Sequence, residues 1–145
     1  MTAGVAGPDV ATEPVRRLSR SVVVEGAEIR FEVSGSGDRD LLLVHGRGAH
    51  HLWWHRMLPL LERSWRITRV DLSGHGDSGH RSTYSPRLWS AELVAVADAA
   101  AARRPVLVGH SMGGAVALLT AVAHAERFQL TQVLMDGWRW TPGGG

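Results

Sequence analysis

Two uninterrupted apolar runs, Leu-Leu-Leu-Val at 41–44 and Val-Leu-Val at 106–108, constrain this 145-residue chain more than any other feature. A strand with one wet face alternates apolar and polar residues, so a run without a polar member needs cover on both faces. Helix-like stretches follow each run. Between Leu52 and Leu61, the residues Trp54, Met57, Leu58 and Leu61 fall on one side of a helix. Ile67, Val70 and Leu72 mark another strand at 66–72. At Ser85-Pro86 a helix is expected to begin, because serine caps and proline fits the first turn. It runs through Trp89, Leu93, Val94 and Val96 into the alanines at 99–102, and Pro105 stops it. An apolar helix at 113–126 and a last strand at 130–135 complete the pattern. Strands alternating with helices predict an α/β fold around a mostly parallel sheet.

The beginning of the chain departs from that rhythm. Val22, Val23 and Val24 form a first strand, Gly26-Ala27 a turn, and Ile29, Phe31 and Val33 alternate with Arg30 and Glu32. Period two predicts an antiparallel hairpin opening the sheet. Residues 1–17 lack periodicity and read as a flexible tail, 18–137 as one domain, and 138–145 as an irregular end.

Charge and composition exclude several function classes. The sequence pI of about 10.3 suggests a nucleic-acid binder, yet the net charge is only +2. Every basic side chain other than histidine is arginine, and arginine does not titrate below about pH 12. The pI therefore reports the lack of lysine and not a basic face, and no nucleic-acid partner is expected. Without cysteine there is neither a disulfide nor a thiolate metal site. Residues 1–19 hold no apolar core of a signal peptide, and the apolar stretch 113–125 is short of the ~20 residues that span a bilayer. The expected location is the cytoplasm, with no membrane partner.

Chemistry concentrates in Gly109-His110-Ser111-Met112-Gly113, a G-x-S-x-G pattern lying between the 106–108 strand and the next helix. The pattern alone also fits a helix-capping serine in a glycine-rich turn. Its strand–turn–helix setting is that of a nucleophile elbow, where a tight turn lifts a serine hydroxyl clear of the sheet. The following helix N-terminus offers unpaired N–H groups to developing negative charge. An earlier strand ends in Val44-His45-Gly46, and a second acyl-transfer N–H donor is expected from the loop after it.

With the opening hairpin, Val44-His45-Gly46, Asp71-Leu72-Ser73-Gly74-His75-Gly76-Asp77-Ser78 and Val108-Gly109-His110-Ser111-Met112-Gly113-Gly114 in this order, residues 21–136 resemble the α/β-hydrolase family. The resemblance implies Ser111 as nucleophile and the backbone N–H groups of Met112 and Arg47 as oxyanion-hole donors. It implies structural duty for His45 and His110, and an aspartate at 71 that organises its loop. Acyl-ester hydrolysis of a small-molecule substrate follows, with no cofactor or metal. Serine at the elbow argues against haloalkane dehalogenase or epoxide hydrolase chemistry.

The same resemblance implies an N-terminal portion only, truncated after about six strands. The family's acid and then its histidine follow the nucleophile in the chain. Asp136 is a weak candidate for the acid, and no histidine follows His124. Residues 138–145, with Trp138 and Trp140, stand where the family's lid begins. The 145 residues alone are thus expected to be inactive or very weak. The last strand would be an exposed sheet edge at which copies of the chain could pair.

Three other readings compete. Gly74-His75-Gly76-Asp77-Ser78-Gly79 is a literal G-x-G-x-x-G, but residues 80–84 separate it from the helix that should hold a phosphate. His50, His51 and His55 suggest a metal, with 51 and 55 on one face of an α-helix, yet H-E-x-x-H chemistry lacks its glutamate here. The serious alternative is a non-catalytic α/β-hydrolase-like binding protein.

Overall fold

The computed structural model describes residues 18–129 and 131–134. The expected tail at 1–17, Asp136 and the segment 138–145 lie outside the described residues. Six strands form one sheet: β1 Arg20–Val24, β2 Ala27–Ser34, β3 Arg39–Val44, β4 Trp65–Val70, β5 Val106–His110 and β6 Thr131–Leu134. Their order is β1-β2-β4-β3-β5-β6. β1, β2 and β4 pair antiparallel; β4, β3, β5 and β6 pair parallel. The α/β expectation holds, opening hairpin included. Its turn falls one residue earlier than Gly26-Ala27: Glu25 (φ 43°) and Gly26 (φ 83°) make it and Ala27 already opens β2, a two-residue connection whose positive φ values match the twist of the paired strands.

The apolar runs are covered on both faces, as their composition demanded. On β3, Leu42 and Val44 pack with Phe31, Leu93, Val96, Leu107 and Val116 under two helices, α2 (Pro86–Ala99) and α3 (Met112–Ala123). Leu41 and Leu43 face the other way and pack with Trp54, Leu58, Ile67 and Val106. Alternation therefore still operates; both sides are simply dry. At ~25 cal/mol per Å² of apolar surface, each such side chain contributes about 1.5–3 kcal/mol.

Ser85 caps α2 as expected, its hydroxyl accepting the Leu88 N–H at 3.2 Å, with Pro86 in the first turn. α2 stops before Pro105: Ala101 takes a left-handed φ of 52°, which ends the helical path.

The stretch expected to be one helix at 52–61 is instead a 3₁₀ helix, His51–Met57, running into a single α-turn, α1 (Leu58–Leu61). Pro59 has no N–H and cannot donate the i→i−4 bond that would carry an α-helix through the junction. The change has two consequences. The inward position passes from Trp54 to Leu58, leaving Met57 exposed where burial was expected. A 3₁₀ helix also advances 120° per residue rather than 100°, so His51 and His55 do not share a face. His51 is buried and His55 exposed.

Candidate active site

Ser111 stands alone between β5 and α3. β5 extends through Gly109 and His110, both expected in the turn, so a single residue reverses the chain direction. It does so at φ 53°, ψ −118°, a conformation that costs a non-glycine residue about 1–3 kcal/mol. Neighbouring contacts hold it there. The Ser111 N–H donates to the Leu134 carbonyl of β6 at 2.7 Å, and its own carbonyl accepts from Gly114 and Ala115 at 2.9 and 3.2 Å. The Ser111 hydroxyl makes no capping bond to α3, which removes the N-cap alternative for this serine.

Two glycines make the turn sterically feasible. A Cβ at Gly109 would lie 2.3 Å from the Gly113 carbonyl oxygen, and one at Gly113 would lie 2.2 Å from the His45 carbonyl oxygen. Close approach of the two backbones brings the loop after β3 against the elbow. Gly46 completes the contact, since a Cβ there would meet His110 Nδ1 at 2.9 Å. Gly46, Arg47, Gly48, Ala49, Trp53, His110 and Ser111 then line one open cleft of about 320 Å³. Ser111 and Arg47 thus meet at one cleft. Met112 is the first residue of α3, so its N–H has no acceptor within the helix. The Arg47 N–H makes no hydrogen bond among the described residues.

Buried polar side chains anchor the loop that carries Arg47. His45 is fully buried, bonds the Gly46 carbonyl through Nδ1 at 2.8 Å, and accepts the Leu72 N–H at Nε2, 3.0 Å away. An Nε2 that accepts cannot hold a proton, so the ring is neutral with its hydrogen on Nδ1. Burial lowers its pKa to about 4, the bond to Gly46 opposing that shift and the neighbouring His75 adding to it. At the far end of the loop, Asp71 accepts from the His51 N–H (2.7 Å), from His51 Nδ1 (2.9 Å) and from the Asp77 N–H (2.8 Å). Burial alone would raise the Asp71 carboxyl; the hydrogen bonds from His51 and Asp77 outweigh it and hold the group below the ordinary carboxylate range. A Cβ at Gly76 would sit 2.1 Å from Asp71 Oδ2, so the loop closes around the carboxylate only with glycine there.

His51, Asp71 and Asp77 form the one group among the described residues with the spacing of a metal site. Protein donors already occupy both oxygens of Asp71, and Asp77 Oδ2 accepts the Leu18 N–H at 2.9 Å. The cluster reads as a structural clamp. Of the three histidines considered for a metal, His51 belongs to this clamp, His50 accepts the Leu52 N–H, and His55 is exposed. The glycine-rich stretch 74–79 folds as the wall of the Asp71 clamp, and α2 begins only at Pro86.

Some positioning residues carried no signal in the sequence. Glu92 of α2 is fully buried and accepts the Ser73 N–H at 3.2 Å, with Arg81 Nη2 at 3.5 Å. Burial pushes its carboxyl up against the opposing pull of Ser73 and Arg81. Arg81 also donates to the carbonyls of Val24 and Glu25, tying the 73–84 loop to the hairpin. Trp53 was missed as well. It lines the cleft and stacks on His110 with ring centroids 4.4 Å apart.

The α/β-hydrolase family profile matches residues 41–145. The chain belongs to the α/β-hydrolase family. It is 43% identical over 123 residues to a pimeloyl-[acyl-carrier protein] methyl ester esterase of Methylococcus capsulatus, covering 74% of this chain and 44% of that one. The enzyme of the same name from Edwardsiella ictaluri is 39% identical over 97 residues, 67% of this chain and 36% of the relative. Among solved structures, a bacterial membrane phospholipase A described as a virulence factor superposes with a TM-score of 0.74 at 33% identity, covering 81% of this chain and 39% of that one. The chain thus spans less than half the length of these hydrolases. No helix among the described residues is long and apolar enough to cross a membrane.

Proposed function

We propose that this chain carries the nucleophile half of a serine acyl-ester hydrolase acting on small-molecule esters. Ser111 attacks the carbonyl carbon, and the N–H groups of Met112 and Arg47 receive the oxyanion. The observation that carries the reading is the strained φ of Ser111, with its hydroxyl left uncommitted to α3, in a cleft shared with the loop after β3. A capping serine needs no such strain.

Proton transfer is the missing part. No histidine follows His124 in the sequence, so no residue here matches the family's general base. Loss of either nucleophile or histidine in a well-studied serine protease costs about 10⁶ in kcat. These 145 residues alone are therefore proposed to turn over esters very slowly, with a base supplied by further polypeptide. Asp136 stays the weak candidate for the acid. In this proposal residues 18–137 form the partial hydrolase domain, residues 138–145 begin the lid segment, and the protein works in the cytoplasm.

A fluorophosphonate probe tests the reading. Labelling that maps to Ser111 and vanishes in Ser111→Ala is the expected result once a base-bearing segment is added in trans, with little or none before it is added. Absence of labelling in a cooperatively folded chain with that segment present would favour a non-catalytic binding protein.

A further inference from the structure

Trp53 and Trp54 are neighbours with opposite fates. In a 3₁₀ helix consecutive side chains point 120° apart. Trp54 is driven into the core beside Leu41, Leu43 and Ile67, fully buried. His51, one turn earlier on the inward side, is locked to Asp71. With two inward anchors fixed, Trp53 faces the cleft. It stacks on His110, the residue before Ser111, at 4.4 Å and an interplanar angle of 22°, and keeps 49% of its surface exposed. An aromatic ring held by a stacked neighbour has already lost much of its rotamer freedom, so a ligand packing on it pays little further ordering entropy.

We infer that Trp53 is a specificity-determining residue of the Ser111 cleft, a flat shelf that favours esters whose carbonyl adjoins a planar, conjugated group over saturated ones of like size. The inference rests on the proposal that Ser111 receives an ester carbonyl. Stacking needs a flat partner. Aromatic pairs gain beyond simple area burial, which corresponds to about 2- to 10-fold in affinity. A puckered ring of equal volume contacts the indole with fewer atoms and gains only the area term.

The test uses the full 145-residue chain with Ser111→Ala, and two esters with the same methyl leaving group: methyl benzoate and methyl cyclohexanecarboxylate. Binding is followed through the Trp53 indole N–H resonance and by calorimetry. Methyl benzoate is expected to bind about 2- to 10-fold more tightly and to move the Trp53 resonance. Trp53→Leu should erase the preference by weakening methyl benzoate more than methyl cyclohexanecarboxylate, and Trp53→Phe should restore part of it. Equal affinities, a preference that survives Trp53→Leu, or no binding by either ester would overturn the inference. Fluorophosphonate labelling of the wild-type chain with the base-bearing segment added separates this outcome from the hydrolase reading. Reactive Ser111 without a flat-ligand preference removes the shelf alone. A preference without reactive Ser111 keeps the shelf and removes the hydrolase.

Discussion

The two flanks of the sheet treat their surfaces differently. On the β1-β2-β4 side the 71–84 loop is tied down by Asp71, Ser78, Arg81 and Glu92, and α2 covers the apolar face beneath. On the β5-α3-β6 side Leu118, Leu119 and Val122 of α3 and Val133 and Leu134 of β6 stay at least 40% exposed, and β6 is the sheet edge. Ser111 sits at the join. The loop after β3 packs against it through His45 and Gly46, while its carbonyl accepts from Gly114 and Ala115 of α3 and its N–H hangs on Leu134, both on the open flank. The contrast teaches that the loop after β3 is held in place by buried polar anchors of the N-terminal half of the sheet, whereas the flank beside β6 is left with apolar side chains exposed.

The largest blow to this contrast comes from the join itself. Gly113→Val places Cβ against two carbonyl oxygens, of His45 and Val44, and should cost ~4 kcal/mol or more, enough to unfold a marginal domain. Urea denaturation would read it; a tolerated valine would mean that the elbow and the β3 loop are not in contact. Next, Asp71→Asn breaks the buried pair with His51 and should cost about 3 kcal/mol, together with any Ser111 labelling that depends on the Arg47 loop. If labelling persists at full rate in a destabilised protein, the clamp serves stability alone.

Acid sharpens the comparison more gently. His45 titrates at about 4 when folded and near 6.5 when unfolded, so the unfolded chain binds the extra proton between those values. Stability from this group is full above pH 6.5 and declines by ~3 kcal/mol as pH falls to 4. Asp71, depressed below its ordinary value, extends the loss below about pH 3.8. Glu92, raised by burial, acts in the opposite sense and loses stability as pH rises through its elevated pKa. Thermal melts at pH 7, 5.5 and 4.5 should fall in that order for the wild type and flatten in His45→Gln. A flat wild-type profile would contradict the neutral, buried His45.

The smallest effect on folding belongs to the open flank. We propose that copies of the chain pair at the exposed β6 edge, and Leu134→Lys, a charge on that edge strand, should shift sedimentation toward monomer while changing stability by only about 1 kcal/mol. A monodisperse wild-type monomer at tens of micromolar would leave that proposal without support.

Periodicity and punctuation determined much of this protein. The doubly covered runs at 41–44 and 106–108, the presence of an opening hairpin and the Ser85-Pro86 helix start follow from local rules, because each depends on residues a few positions apart. G-x-S-x-G in its strand–turn–helix setting marked Ser111, since the turn's glycine requirement is written into the sequence. What tertiary structure alone decided is the use of polar side chains. Nothing local distinguishes His51, clamped to Asp71 across 20 residues, from exposed His55, or the buried carboxyl of Glu92 from a solvated one. The helical pattern put Trp54 on the inward side, but nothing in it set Trp53 in the cleft against His110. That placement needs the loop after β3 and the β5–α3 turn to meet beside Trp53, which happens only once the sheet has formed.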